Sequence, residues 1–111
     1  METDLEYILV TKAKEFVRQH QPQWTHFLEQ PCVIMLHASD GEITGIDGTS
    51  YGKVQSYDPK TRVYQVVTYP EPYWGVSFSP PAPPGFVRFG GGMVVHIDEA
   101  TGEPTGAWLT Q

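Results

Sequence analysis

Cysteine, positive charge and long apolar runs are scarce in this sequence. It has one cysteine in 111 residues, so Cys32 cannot form an internal disulfide, and its place in an apolar run predicts a small buried side chain rather than a reactive thiol. No apolar run approaches the ~20 residues of a membrane-spanning helix, and the N-terminus lacks the basic start of a signal peptide. We therefore expect a cytoplasmic protein with no membrane partner.

Positive charge is the second shortage. Seven lysines and arginines stand against thirteen aspartates and glutamates, which gives a formal net charge of −6. Nucleic acids and anionic membranes bind cationic surfaces, so neither is an expected partner. A partner rich in lysine and arginine would be attracted to this chain, although the same acidity can serve solubility alone.

Signatures of catalysis, metals and cofactors are also missing. The glycines at 90–92 lack the Lys-Ser/Thr of a phosphate loop, and the glycine-rich stretch at 41–48 lacks the oxygen spacing of a calcium loop. Asp98 and Glu99 are adjacent and diverge on a strand, so Asp98 is interpreted as the cap of a turn. We expect no cofactor and no enzymatic activity.

The histidines show no zinc spacing, neither i, i+4 pairs nor Cys-x-x-Cys companions. They are His20, His26, His37 and His96. His37 and His96 lie on predicted strands, where they could meet across a sheet with Asp40 or Asp98. Structural or exposed histidines are the favoured interpretation, and no metal is expected.

What the sequence does contain is one helical pattern. Thr3 and Glu6 form a capping box at its start, and the helix should end near residues 19–21, before Pro22. Its apolar stripe at helical spacing predicts burial of one face. The stripe consists of Leu5, Ile8, Leu9, Ala13, Phe16 and Val17.

Strand patterns fill the rest of the chain. We expect a connection at 21–31 with Trp24 and Phe27 packed over one end of the sheet, and a mobile glycine-rich loop at 41–48 with a short extended piece at 43–46. The expected strands are 32–37, 51–57, 62–69, 73–78, 86–89, 93–98 and 104–109, with a type I turn at 58–61. The sequence thus predicts one α+β domain over residues 1–111, with an N-terminal helix packed on a curved antiparallel meander.

Proline and glycine break this pattern near residues 79–92. The proline run at 80–84 favours a rigid surface loop, with a partner-binding loop or a ligand for a proline-recognising domain as alternatives. The glycines at 90–92 indicate either a wide bend or a close approach of another backbone. Gly102 should supply a positive φ in the last hairpin.

The last hairpin carries a resemblance. Gly90-Gly91-Gly92, then Val94–Asp98, then Thr101-Gly102-Glu103 is similar to the ending of several families of small bacterial proteins. Among them are immunity-type domains of polymorphic toxin systems with cystatin-like or NTF2-like folds, YrhB-like proteins and PepSY-type domains. The aromatic strand before the glycines is similar as well. The resemblance implies a helix wrapped by a curved antiparallel sheet, and binding rather than catalysis.

Aromatic residues are the candidate binding set. Alternate strand positions face opposite ways, so these rings cannot all be buried, and exposed aromatics are typical of interfaces. The candidate binding residues are Tyr64, Tyr69, Tyr73, Trp74, Phe78 and Trp108, with Tyr57 in the wider set. Packing against the helix with ordinary surface tyrosines is the alternative.

Three functional hypotheses follow. The first is a non-enzymatic protein-binding domain of immunity type, whose partner is basic. The second is a small-molecule-binding or NTF2-like enzyme domain with a pocket between helix and sheet, lined by Tyr64, Trp74 and a buried Asp or His. The third is a homodimer that hides its sheet face.

Overall fold

A computed structural model describes residues 4–80 and 91–110. Helix α1 (Asp4–His20) is followed by a 3₁₀-helix (Pro22–Glu29) and eight strands. The strands are β1 (Cys32–His37), β2 (Glu42–Gly45), β3 (Ser50–Lys53), β4 (Gln55–Asp58), β5 (Val63–Val66), β6 (Tyr73–Phe78), β7 (Met93–Asp98) and β8 (Pro104–Leu109). The Thr3 cap, most of the proline run, the strand expected at 86–89 and Gly90 lie outside the described residues.

Six strands form one antiparallel sheet in the order β3-β2-β1-β6-β7-β8. Strands β4 and β5 pair only with each other as a separate two-stranded sheet, hereafter the arm. One helix and an antiparallel sheet confirm the α+β class. The sheet is not one continuous meander, because β1 pairs directly with β6 and the chain between them makes an excursion that ends in the arm.

The helix covers one face of the sheet, and the core lies between them. Strand β7 alternates strictly, with Met93, Val95 and Ile97 fully buried. Helix residues Leu9, Ala13 and Val17 are buried against this face, and α1 contacts β6, β7 and β8. Both periodicities, 3.6 on the helix and 2 on the strands, meet in one core, but Leu5 and Ile8 of the predicted stripe are 44% and 47% exposed, so its first turn lies outside the core.

The connection after α1 behaves as predicted. Trp24 and Phe27 of the 3₁₀-helix are half-buried against the core, and Leu28 is buried in it. Among the described residues, no helix has both the length and the apolarity to cross a membrane.

The middle of the chain departs from its predictions at one loop and two strands. The glycine-rich stretch at 41–48 belongs to the β2–β3 hairpin, and its expected extended piece at 43–46 corresponds to β2. Around it, the Asp40 and Asp47 carboxylates accept the amide hydrogens of Glu42 and Thr49. The strand expected at 51–57 is divided at Val54 between two sheets. Strand β5, which was expected to run to residue 69, ends at Val66 opposite Gln55, and one further backbone hydrogen bond follows it, from the Val67 N–H to the Val54 carbonyl at 2.8 Å.

The C-terminal hairpin agrees with its prediction. Asp98 Oδ1 accepts the Ala100 N–H at 2.9 Å, and Gly102 has a φ of 72°. Lys12 of α1 donates to the Gly102 carbonyl at 2.7 Å and so ties the helix to this turn. A Cβ at Gly92 would overlap Ser79 Oγ and the Phe78 carbonyl, which confirms a close approach at this glycine, while the chain also bends there and Gly91 has a φ of 78°.

Candidate functional site

The sheet face opposite the helix, hereafter the outer face, carries a line of rings. His37 of β1 stands directly opposite Tyr73 of β6. The line then steps diagonally to His96 of β7 and to Trp108 of β8, since the direct partners of these residues are Gly75 and Val94. These four side chains, one from each neighbouring strand, are hereafter the aromatic row.

The rings of the row are in contact. His37 and Tyr73 are stacked with centroids 4.5 Å apart, and Tyr73 and His96 are stacked at 4.1 Å. His96 and Trp108 are tilted at 4.4 Å. Tyr69 meets both His37 and Tyr73 edge-on, at 5.2 and 5.5 Å. All these separations lie near or within the range of favourable aromatic pairs, so each ring holds its neighbour in place.

Two glycines make room for the row. His96 has Gly75 as its partner on β6 and Gly106 as its partner on β8. A Cβ at Gly106 would stand 2.6 Å from the Trp108 ring, and a Cβ at Gly75 would stand 3.3 Å from His37 Nε2. The rings therefore lie over bare backbone, as cross-strand aromatics do over glycines in sheets.

A shallow cleft of about 210 Å³ adjoins the middle of the row. Its lining combines ring faces with two carboxylates, and consists of Glu71, Pro72, Tyr73, His96, Asp98 and Thr105. One Asp98 oxygen accepts a backbone N–H from Ala100. Carboxylates beside the faces of aromatic rings attract cations, through charge and through the ring quadrupole.

Burial alters the titration of the row. Desolvation lowers the pKa of His37, and desolvation together with the proximity of His37 lowers the pKa of His96. Desolvation, followed by Tyr69, raises the pKa of Tyr73. Within the described chain, His37 Nδ1 is buried without a hydrogen-bond partner. All three groups therefore favour their neutral forms near pH 7.

The candidate binding residues fall into three places. Tyr69, Tyr73 and Trp108 are brought together on the outer face. Tyr64 lies on the arm, 65% exposed and 5.1 Å from Tyr57. Trp74 and Phe78 face the helix instead: Phe78 is fully buried in the core, and Trp74 is half-buried against it. Side chains alternate between the two faces along β6. Trp74 and Phe78 each lie two residues from buried Val76 and therefore point to the same face as Val76.

The sequence-based selection omitted His37 and His96 from the binding set. The structure places them on either side of Tyr73 rather than against each other. Each lies at a strand position whose side chain points away from the core, and this alternation along the strand could have identified both histidines from the sequence. Which rings they would contact depended on strand pairing, which the sequence pattern does not specify.

Tyr64 and Trp74, which the second hypothesis places in one helix–sheet pocket, lie apart, on the arm and against the core, while a separate open cleft of about 290 Å³ lies at the edge of α1 beside Glu103 and Pro104. Residues 4–80 and 91–110 place no three His, Cys, Asp or Glu side chains together as metal ligands. Apolar side chains, including Val17, Val95 and Ile97, fill the space between helix and sheet.

Known proteins provide no relative with which this site can be compared. No family model, no curated protein and no solved structure matches this chain.

Proposed function

We propose that this protein is a non-enzymatic protein-binding module whose outer face binds a cationic segment of a partner protein. The observation that carries the proposal is the contact between a continuous row of rings and a cleft with two carboxylates. Tyrosine and tryptophan are the residues most enriched at the energetic centres of interfaces. Here they stand beside negative charge, so the preferred occupant is lysine or arginine.

The cleft and the row would bind different parts of the partner, a charged group and an apolar surface respectively. A guanidinium or ammonium group in the cleft lies between Glu71 and Asp98 and against the Tyr73 and His96 rings. Such a contact contributes about 0.5–2 kcal/mol through the ring face, and the carboxylates add to it. The apolar part of the partner would pack on Trp108, which is 49% exposed.

The resemblance of the C-terminal hairpin to immunity-type domains suggests the class of partner. On that basis we propose a cytoplasmic protein of cystatin-like or NTF2-like architecture that blocks a basic surface on a bacterial toxin. An acidic inhibitor associates quickly with a basic target, and its association weakens as salt screens the charges. This part of the proposal depends on the sequence likeness, and the cation-binding face depends on the geometry.

The face is tested with two synthetic peptides of equal length, one alternating arginine and leucine, the other glutamate and leucine. In NMR titrations we expect the arginine peptide alone to shift the resonances of Tyr73, His96 and Trp108, with affinity that falls as salt rises. Glu71→Gln combined with Asp98→Asn should weaken binding about tenfold, equal to about 1.4 kcal/mol. Asparagine keeps the oxygen that accepts the Ala100 N–H.

The matched control removes two carboxylates elsewhere, with Glu15→Gln and Glu29→Gln on the helical layer. These exposed side chains do not line the cleft, so the affinity should change little. Equal binding of the two peptides, or an equal loss in the control variant, would show that the face has no preference for cations.

A further inference from the structure

The arm exposes more apolar surface than an isolated hairpin can support. Val54 at its base and four of its strand residues, Tyr57, Val63, Tyr64 and Val66, are each 41–65% exposed. A two-stranded hairpin is at best marginally stable in water without packing against another element. Tyr57, Tyr64 and Val66 share one face of the hairpin, whereas Val63 points to the other, and exposed apolar side chains gathered on one face mark an interaction site. The arm therefore has the composition of an interface element.

The arm also concentrates positive charge. Among the described residues from Cys32 onward, the basic ones are Lys53 at the end of β3 and Lys60 and Arg62 in the turn of the arm. The turn is well defined, since Asp58 accepts the Lys60 N–H at 2.9 Å and its carbonyl accepts the Arg62 N–H at 2.8 Å. Two cationic side chains are thus presented at the tip of an apolar hairpin.

The outer face has the complementary composition. It offers ring surface for Tyr57, Tyr64 and Val66 on one face of the arm, and the cleft offers Glu71 and Asp98 for the cations of the turn. This chain therefore carries both halves of the contact that we assign to the outer face. Complementary patches on one chain produce a symmetric dimer when each copy contributes one of each.

We propose that the occupant of the outer face is a second copy of this chain, with the arm of each copy docked on the aromatic row of the other. Lys60 and Arg62 of one copy then approach Glu71 and Asp98 of its partner. The inference rests on the proposed cation-binding function of the face. It goes further by naming a second copy of this chain, in place of a toxin, as the occupant of the face, and by giving the arm, which the first proposal does not use, its role.

A charge-swap experiment tests the dimer by sedimentation velocity over a range of concentrations and salt. An arm variant carries Lys60→Glu and Arg62→Glu, and a face variant carries Glu71→Lys and Thr105→Lys. We expect wild type to dimerise, and each variant alone to dissociate at least about tenfold more readily, because like charges then face each other. An equimolar mixture of the two variants should form a heterodimer, since both of its contacts again join opposite charges.

The control variant, Lys14→Glu with Arg18→Glu, makes the same charge change on α1 and should dimerise as wild type does. A wild-type chain that stays monomeric, variants that dimerise normally, or a mixture that fails to associate would each overturn the dimer. The peptide titration, carried out at protein concentrations at which the chain is monomeric so that no second copy covers the face, separates the two proposals. A monomeric chain that binds the arginine peptide retains the proposed function and loses only this inference, and one that binds no peptide loses both.

Discussion

The indole of Trp108 lies over Gly106, with its Cη2 atom 2.6 Å from the position that a Cβ at residue 106 would take. The aromatic row depends on this arrangement. His96 has a glycine partner on each neighbouring strand, and the rings of Tyr73 and Trp108 cover the positions next to it. The two glycines that pair with His96 therefore shape the outer face as much as the rings do.

Gly106→Ala should displace the Trp108 ring. Alanine in a strand is ordinarily about 0.5–1 kcal/mol more favourable than glycine, and Gly106 does not use a left-handed φ. Overpacking against the indole costs about 1–3 kcal/mol, so we expect a net loss of about 1 kcal/mol in urea unfolding, with a changed near-UV circular dichroism spectrum.

The matched background is Trp108→Ala. There the same Gly106→Ala change meets no ring and should stabilise the protein by about 0.5–1 kcal/mol. A Gly106→Ala effect of the same sign in both backgrounds would mean that the ring does not occupy this place.

Two residues from the same aromatic set should contribute very differently to the free energy of unfolding. Phe78 is fully buried, whereas Tyr64 is 65% exposed on the arm. Phe78→Ala should lower the free energy of unfolding by about 3–5 kcal/mol, and Tyr64→Ala should lower it by less than about 1 kcal/mol, through loss of its contact with Tyr57. Urea titration of both variants measures the contrast, and similar losses would contradict the placement of these residues.

Asp98 should stabilise the last hairpin through the hydrogen bond that its side-chain oxygen accepts, and not through its negative charge. Asp98→Ala leaves the Ala100 N–H without its acceptor and should cost about 1 kcal/mol. Asp98→Asn retains the oxygen and should cost much less. Glu99→Ala, on the adjacent exposed residue, serves as the control, and a loss equal to that of Asp98→Ala would argue against the cap.

Acidification should destabilise the aromatic row. Burial lowers the pKa of His37 and of His96 in the folded state, so only well above the unfolded value of about 6.5 are both histidines neutral in either state and without effect on the pH dependence. As the pH falls below that value the unfolded chain takes up protons first, and stability is lost until the folded histidines titrate as well.

This loss is measured as the difference between wild type and a His37→Gln, His96→Gln variant, by urea unfolding from pH 7.5 to 5. The difference removes the contributions of Glu71, Asp98 and the other carboxylates that both proteins share. We expect wild type to lose more stability than the variant. NMR titration of the two imidazoles should give midpoints below that of a histidine peptide, and midpoints at or above it would contradict the direction of both shifts.

Local patterns predicted the elements that carry strong periodicity. Strands β1, β6, β7 and β8 have the bounds expected from sequence, and α1 ends at His20, within the expected range. Their hydrophobic alternation, the proline after α1 and the turn around Gly102 all act over a few residues. Such signals are readable without knowledge of what each element packs against.

The predictions failed where a distant segment decided the structure. Nothing near Val54 shows that residues on either side of it join different sheets. Residues 41–48 look like a glycine-rich loop with only a short extended piece until β1 supplies an edge on which β2 can pair. Trp74 and Phe78 were placed with Tyr73 because all three are aromatic, although alternation along β6 already puts Tyr73 on the opposite face; the position of the helix decides which of the two faces is buried.

The sequence by itself determined the helix, most of the strands, the turn chemistry and the acidity of this protein, because these properties depend on composition and on spacing within a few residues. Tertiary structure alone decided the pairing of β1 with β6 and the diagonal steps between strands, and these bring His37, Tyr73, His96 and Trp108 into one row. The physical reason is that strand pairing joins residues far apart in the chain. A shift of one residue in register would turn every ring in a strand to the other face.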